Sequence, residues 1–222
     1  MRTYVKLTIT GILATAALAA LVGSASANRL SITNRNIRVV WSSLEFIGAS
    51  TTIRCRATFE GTLHSNSITK VEASLIGYVT AARIAHPCTG GSAWAYNGTE
   101  ANEALPVSTL PTSLPWHLLY GRFSGTLPAI TSVEMTLNQA RFLVRASFFG
   151  INLLCMYRSA PARGLIRLRA NLGAGGVISS FEITEAIESE TAGCPQGFIG
   201  DPGNDGIVTL LGTVNRISIT LI

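Results

Sequence analysis

Charged residues are scarce in this sequence, and those present are scattered. Only 13% of the 222 residues are charged, the formal net charge is +5, and just two lysines and two aspartates occur. The arginines stand singly along strand-like segments, whereas a nucleic-acid or anionic-lipid surface needs a dense basic patch. We therefore expect no nucleic-acid partner, and arginines that lie on solvated strand faces.

Recognisable catalytic and metal-binding motifs are also missing. The sequence has no Gly-x-Ser-x-Gly elbow and no HExxH pattern, and its only histidines are His64, His86 and His117. None of its cysteines belongs to a CxxC or CxH pair, which disfavours zinc. These absences predict no catalytic residue and no cofactor, and they leave open a hydrolase without a recognisable motif.

The first 27 residues have the pattern of a secretory signal peptide. Arg2 and Lys6 precede an apolar run, and Ser-Ala-Ser-Ala ends at Ala27. The run is too short and too diluted by threonine and glycine for a transmembrane helix. We expect cleavage near Ala27, a secreted or cell-envelope protein that begins at Asn28, and no transmembrane span in the mature chain.

The rest of the sequence predicts strands almost throughout. Residues 51–60 alternate strictly, with Ile53, Cys55, Ala57 and Phe59 opposite Arg54, Arg56, Thr58 and Glu60. Two stretches do not follow this pattern. Residues 89–113 form a long polar, glycine-rich loop, and the acidic residues between 182 and 190 indicate a strand that frays into a loop. Further strands are predicted at residues 37–46, 71–80, 116–123, 132–137, 141–149, 153–157, 163–172, 177–187 and 207–222.

The same short motifs occur twice in the same order, which indicates an internal duplication. Phe-Ile-Gly precedes Cys55 as Phe-Phe-Gly precedes Cys155, and Cys88 and Cys194 each have a glycine three places on. Gly-Thr-apolar-x-x-Ile recurs at 125–130 and 212–217. Equivalent cysteines then pair within each half, which predicts disulfides Cys55–Cys88 and Cys155–Cys194.

These features predict an all-β fold, either a β-sandwich or a pseudo-symmetric β-barrel, built from two related halves. The first half spans residues 28–128 and the second spans residues 129–222, and we expect them to pack as one domain.

The order Cys88-Thr-Gly-Gly, Leu114-Pro-Trp and Gly125-Thr-Leu-Pro-Ala-Ile-Thr resembles a group of uncharacterised secreted proteins of high-GC actinobacteria. The resemblance covers most of the mature chain. It implies export, a β-rich fold and intrachain disulfides, and it carries no activity.

Two groups of residues are candidates for ligand binding. Trp94 and Tyr96 lie in the long polar loop, where aromatic rings stack on sugars or anchor an interface. The second group is Asp201, Asn204 and Asp205, on one tight loop. Pro-Gly and Asp-Gly favour a plain turn there, and the alternative is a calcium site built from the hard oxygen ligands of these three residues.

The sequence therefore favours a non-catalytic secreted or envelope-associated β protein that binds a polysaccharide or another protein through its long loop. The alternative is a structural, self-assembling extracellular protein that associates through sheet edges or its apolar C-terminus.

Overall fold

A computed structural model describes residues 29–48, 51–96, 114–126, 129–148, 150–159, 165–201, 207–209 and 218–221. The all-β prediction is confirmed, because the described residues form strands joined by turns and one short 3-10 turn at Ala174–Gly176. The strands are β1 Arg29–Ile32, β2 Asn36–Ile47, β3 Thr52–Leu63, β4 Ser67–Thr69, β5 Leu75–Thr89, β6 Ser92–Ala95, β7 Trp116–Thr126, β8 Ala129–Asn138, β9 Arg141–Phe148, β10 Ile151–Arg158, β11 Ile166–Leu172, β12 Ile178–Ser189, β13 Gly197–Gly200, β14 Ile207–Thr209 and β15 Ile219–Leu221.

The alternation read from the sequence sets the buried face of each strand. In β3, the predicted apolar set from Ile53 to Phe59 is buried, and Arg54 and Arg56 are exposed. In β11, Ile166, Leu168 and Ala170 are buried between exposed arginines. Successive side chains of a strand point to opposite faces, so one face of each strand supplies the core.

Most strands belong to one large sheet that closes on itself. Its order is β11-β8-β7-β5-β3-β2-β13-β12, and β12 pairs with β11 to complete the ring. The short strands β13 and β14 pair with opposite ends of β2. The sequence left open a β-sandwich or a closed barrel, and the closed sheet corresponds to the second of these.

Two smaller groups of strands extend from the ring. The end of β12 pairs with β10, which continues through β9 to β6. The fully buried Phe142, on β9, packs into the aromatic core of the closed sheet. The centroid of its phenyl ring lies 5.3 Å from that of Trp116 and 5.3 Å from that of Phe46. A separate sheet of β15, β1 and β4 buries Leu30, Ile68 and Ile219.

Both predicted disulfides are present, at equivalent places in a repeated strand arrangement. Cys55–Cys88 joins the second strand of the β2–β3 hairpin to the antiparallel neighbour β5, with Cα atoms 4.6 Å apart. Cys155–Cys194 joins the second strand of the β9–β10 hairpin to the turn after its neighbour β12, with Cα atoms 5.8 Å apart.

The short strand that follows each second cysteine crosses to the other half. After Cys88, β6 pairs with β9, and after Cys194, β13 pairs with β2. Each hairpin therefore pairs on its outer edge with a short strand from the other half of the chain. The third repeated motif, at 212–217, lies outside the described residues, as does the predicted signal peptide.

Several predicted boundaries were wrong. Residues 71–74 form a turn, closed by the Ser74 amide donating to the Val71 carbonyl, so β5 begins later and runs to Thr89. The predicted loop 89–113 contains β6, a strand of four residues without alternation that is held by pairing to β9. The strands β1, β4 and β13 were not predicted, because such short segments carry little periodicity.

The described residues contain no helix with the length and apolar character needed to cross a membrane.

We expect replacement of both Cys155 and Cys194 by serine to lower the free energy of unfolding by about 4 kcal/mol. In the chain-entropy model, removing a disulfide that closes a loop of 39 residues raises the conformational entropy of the denatured chain and stabilises it by roughly this amount. Urea unfolding of the variant and the wild-type protein measures the difference. Peptide mapping without reduction is the control, and a peptide that joins Cys55 to Cys155 would contradict the pairing.

Candidate functional site

Three rings form a row on the outer face of the sheet. The His64 ring lies 4.9 Å from the Tyr78 ring, which lies 5.4 Å from the His117 ring, measured between centroids. His64 directly follows β3, Tyr78 belongs to β5, and His117 belongs to β7. His64 is exposed, and the other two residues are half-buried. This ring row therefore presents imidazole and phenol groups to solvent.

Two glycines allow the strands beneath the ring row to approach closely. A Cβ atom on Gly77 would lie 2.5 Å from the Thr62 carbonyl oxygen and 2.8 Å from the Leu63 Cα atom. A Cβ atom on Gly61 would lie 2.8 Å from the Tyr78 carbonyl oxygen. Both contacts are with backbone, so a larger residue at either position would push β3 and β5 apart. The glycines thus help to set the spacing of His64 and Tyr78.

A cavity of about 210 Å³ adjoins one end of the ring row. Its lining, on β4 and the turns around it, combines His64 and four hydroxyl residues with three apolar residues. The hydroxyl residues are Ser65, Ser67, Thr69 and Ser74, and the apolar ones are Ile68, Leu75 and Ile76. The hydroxyl oxygens of Ser67 and Ser74 are buried and make no hydrogen bond with the described protein. A buried hydroxyl without a partner costs about 1 to 3 kcal/mol. The hydroxyl residues that this serine cavity offers to a polar ligand are instead Ser65 and Thr69, which are exposed.

The interior of the ring-closed sheet, by contrast, is a packed core. Phe59 lies at its centre, with its ring 4.9 Å from Trp41 and 5.5 Å from Trp116 between centroids. The Trp41 indole donates to the Phe181 carbonyl at 3.1 Å, so its polar atom is satisfied inside the protein. An interior cavity of about 40 Å³ remains, lined mainly by apolar side chains such as Leu118. That volume has room for only a few water-sized molecules.

The structure places the predicted aromatic binding residues in the protein interior. Trp94 is 8% exposed and Tyr96 is 2% exposed. The Trp94 ring packs 5.1 Å from the His86 ring, and the Arg145 guanidinium lies 5.5 Å from its centroid. Ligand binding by these two residues stays a prediction. Their burial makes the ring row the better candidate, because its rings reach solvent.

The predicted calcium loop falls mostly outside the described residues. Asp201 directly follows β13 and is buried, whereas Asn204 and Asp205 lie outside the described part of the chain. Within the described ranges, no three histidine, cysteine, aspartate or glutamate side chains gather into a metal-binding group. The calcium site stays a prediction.

Sequence reasoning did not single out the ring row. Its three residues lie far apart in the chain, and only the register that sets Tyr78 opposite both Thr62 and His117 brings them together. An alternating strand predicts which face a residue occupies, but it does not predict the neighbouring strand.

The chain matches no known protein family, no curated protein and no solved structure.

We expect Gly77→Ala to lower the free energy of unfolding by roughly 1 to 3 kcal/mol, because the new methyl group would overlap backbone atoms of β3. Gly173→Ala is the matched control, since the nearest atom to its Cβ would be the Val177 carbonyl oxygen at 3.8 Å. Urea unfolding of both variants tests the difference. Equal stability of the two variants would contradict the close approach.

We also expect stability to fall as pH rises above about 10. Burial raises the pKa of the Tyr157 phenol above its ordinary value, and burial does the same for Tyr120. For Tyr96, burial raises the pKa and the Arg141 charge opposes the rise. The unfolded chain then loses phenol protons at a lower pH than the folded chain, so this stability is present below pH 10 and is lost above it.

Tyr157→Phe isolates one of these phenols. The Tyr157 hydroxyl donates to the Pro195 carbonyl at 3.1 Å, so its loss should cost about 1 kcal/mol at pH 7. The variant should also show a shallower decline in unfolding free energy between pH 9 and 11. An identical alkaline decline in variant and wild type would contradict the assignment.

Proposed function

We propose that the protein is a non-catalytic extracellular β protein that binds polysaccharide through the ring row and the serine cavity. The observation that carries this proposal is the junction of the two at His64, whose ring contacts the Tyr78 ring and which also lines the cavity. A row of solvent-facing rings beside a cavity lined by hydroxyl and apolar side chains suits a sugar chain. Sugar rings have apolar faces that pack on aromatic side chains and hydroxyl edges that need hydrogen bonds.

An extracellular location is supported by the two disulfides, because such bonds form and persist in oxidising compartments. Export through the predicted signal peptide and the resemblance to secreted actinobacterial proteins belong to the same proposal. Secretion would bring the ring row into contact with polysaccharides of the cell surface or its surroundings.

The other two hypotheses have less support. Part of the apolar C-terminus is already used within the chain, since β15 pairs with β1 and Ile219 is 2% exposed. That pairing leaves less edge for self-assembly. For an enzyme, the described histidines contact aromatic rings: His64 and His117 contact Tyr78, and His86 contacts Trp94. No positive feature favours catalysis over binding.

We expect the wild-type protein to be retarded in native gels that contain hydroxyethyl cellulose or carboxymethyl cellulose, two soluble polymers with the same backbone. Replacing both Tyr78 and His117 by alanine should remove most of the retardation with at least one polymer, because it deletes the central and terminal rings of the row.

His86→Ala is the matched control, since it removes an imidazole that packs on Trp94 outside the ring row. Circular dichroism must show that the variants remain folded. Equal retardation of the wild type and the Tyr78/His117 variant with both polymers would contradict binding at the ring row.

A further inference from the structure

The outer face of β2, β3 and β5, next to the ring row, carries a surplus of arginine. Arg38 is held by Glu60 at 2.7 Å, and Arg54 is held by Glu45. The side chains of Arg56 and Arg83 are exposed, and neither makes an ion pair with a described residue. Four arginines thus face two glutamates on this surface, and both carboxylates are already paired.

Arg56 and Arg83 lie close enough to act on one ligand. Thr58 is directly opposite Arg83, and Arg56 is directly opposite Ala85, so the two arginines are diagonal neighbours on one face of the β3–β5 pair. Diagonal neighbours of this kind have backbone positions about 7 to 8 Å apart. Their long side chains can reach the same anionic group or two successive ones.

The two arginines and the ring row lie along a single strand pair. Thr62, which faces Tyr78, is on the same face of β3 as Arg56, and six residues of strand span about 20 Å. Between them this face has the short side chains of Thr58 and Ala81, together with the paired Glu60. An extended chain could therefore contact the rings at one end and the guanidinium groups at the other.

The opposite side of the ring-closed sheet has a different charge arrangement. There Glu134 lies 3.3 Å from Arg122 and 3.5 Å from Arg169, and Glu185 lies 2.8 Å from Arg167. Each of these arginines is paired with a glutamate on a neighbouring strand. Among the described arginines of the ring-closed sheet, those without an ion pair thus lie on the side that carries the ring row.

We propose that the ligand is an acidic, linear polysaccharide whose carboxylate or sulfate groups pair with Arg56 and Arg83 while its sugar rings pack on the ring row. This inference rests on the proposed function and adds the class of polymer. Guanidinium groups bind both anions through paired N–H donors, so the charge of the polymer, not its backbone, should set the preference.

The test compares carboxymethyl cellulose with hydroxyethyl cellulose, and dextran sulfate with dextran, by affinity electrophoresis. We expect the acidic polymer of each pair to bind more tightly and its binding to weaken as salt is added. Replacing Arg56 and Arg83 by glutamine should weaken binding to the acidic polymers roughly tenfold at low salt. Preference between the two acidic polymers separates carboxylate from sulfate recognition.

The matched control replaces Arg158 and Arg167 by glutamine, which removes the same charge from arginines paired with Glu188 and Glu185. This control should bind acidic polymers within about twofold of the wild type, apart from the general effect of net charge.

Four outcomes would overturn the inference. These are equal binding of neutral and acidic polymers, equal losses in the two double variants, no loss in the Arg56/Arg83 variant, and equally tight binding of double-stranded DNA through the same arginines. If neutral polymers bind through the ring row, the proposed function survives without the acidic specificity. If no polymer binds, both proposals fail.

Discussion

The contact between Phe142 and the aromatic core of the ring-closed sheet is the interaction on which the rest of this structure depends. Phe142 belongs to β9, in the second half of the chain, yet its ring stacks 6.2 Å from Phe59 and packs against Trp116, both in the first half. Burying a large aromatic side chain contributes several kcal/mol. This contact joins β9, and through it the paired strands β10 and β6, to the aromatic core of the ring-closed sheet.

The packed interior also determines where a ligand can be bound. Side chains fill the ring-closed sheet, so binding chemistry is left to the outer face and to the hollow beside β4. On that face, the strands β3, β5 and β7 bring together two imidazoles, a phenol and several arginines. On the far side of the sheet, the charged side chains form ion pairs between neighbouring strands. The two sides are built on the same backbone pattern and differ in the identity and the pairing of their outward side chains.

Much of the fold could be predicted because it depends on local pattern. The buried set from Ile53 to Phe59 followed from strict alternation, and both disulfides followed from the repeated cysteine motifs. Short strands such as β6 could not be predicted, because pairing with a distant strand and not local propensity holds them extended. The ring row was missed for a related reason, because only the register of β3, β5 and β7 brings His64, Tyr78 and His117 together. Trp94 and Tyr96, in turn, look exposed in a polar sequence, and only tertiary packing buries them.

Local patterns in the sequence are enough to assign the strand class, the inward face of the long strands and the partner of each cysteine. These properties depend on the two-residue period of a strand and on a repeat visible in the chain. Three further properties are visible only in the folded protein: the sheet closes on itself, β6 and β13 each pair with a hairpin of the other half, and His64, Tyr78 and His117 lie side by side. Those outcomes depend on strand order and register across more than fifty residues, which alternation within one strand does not encode.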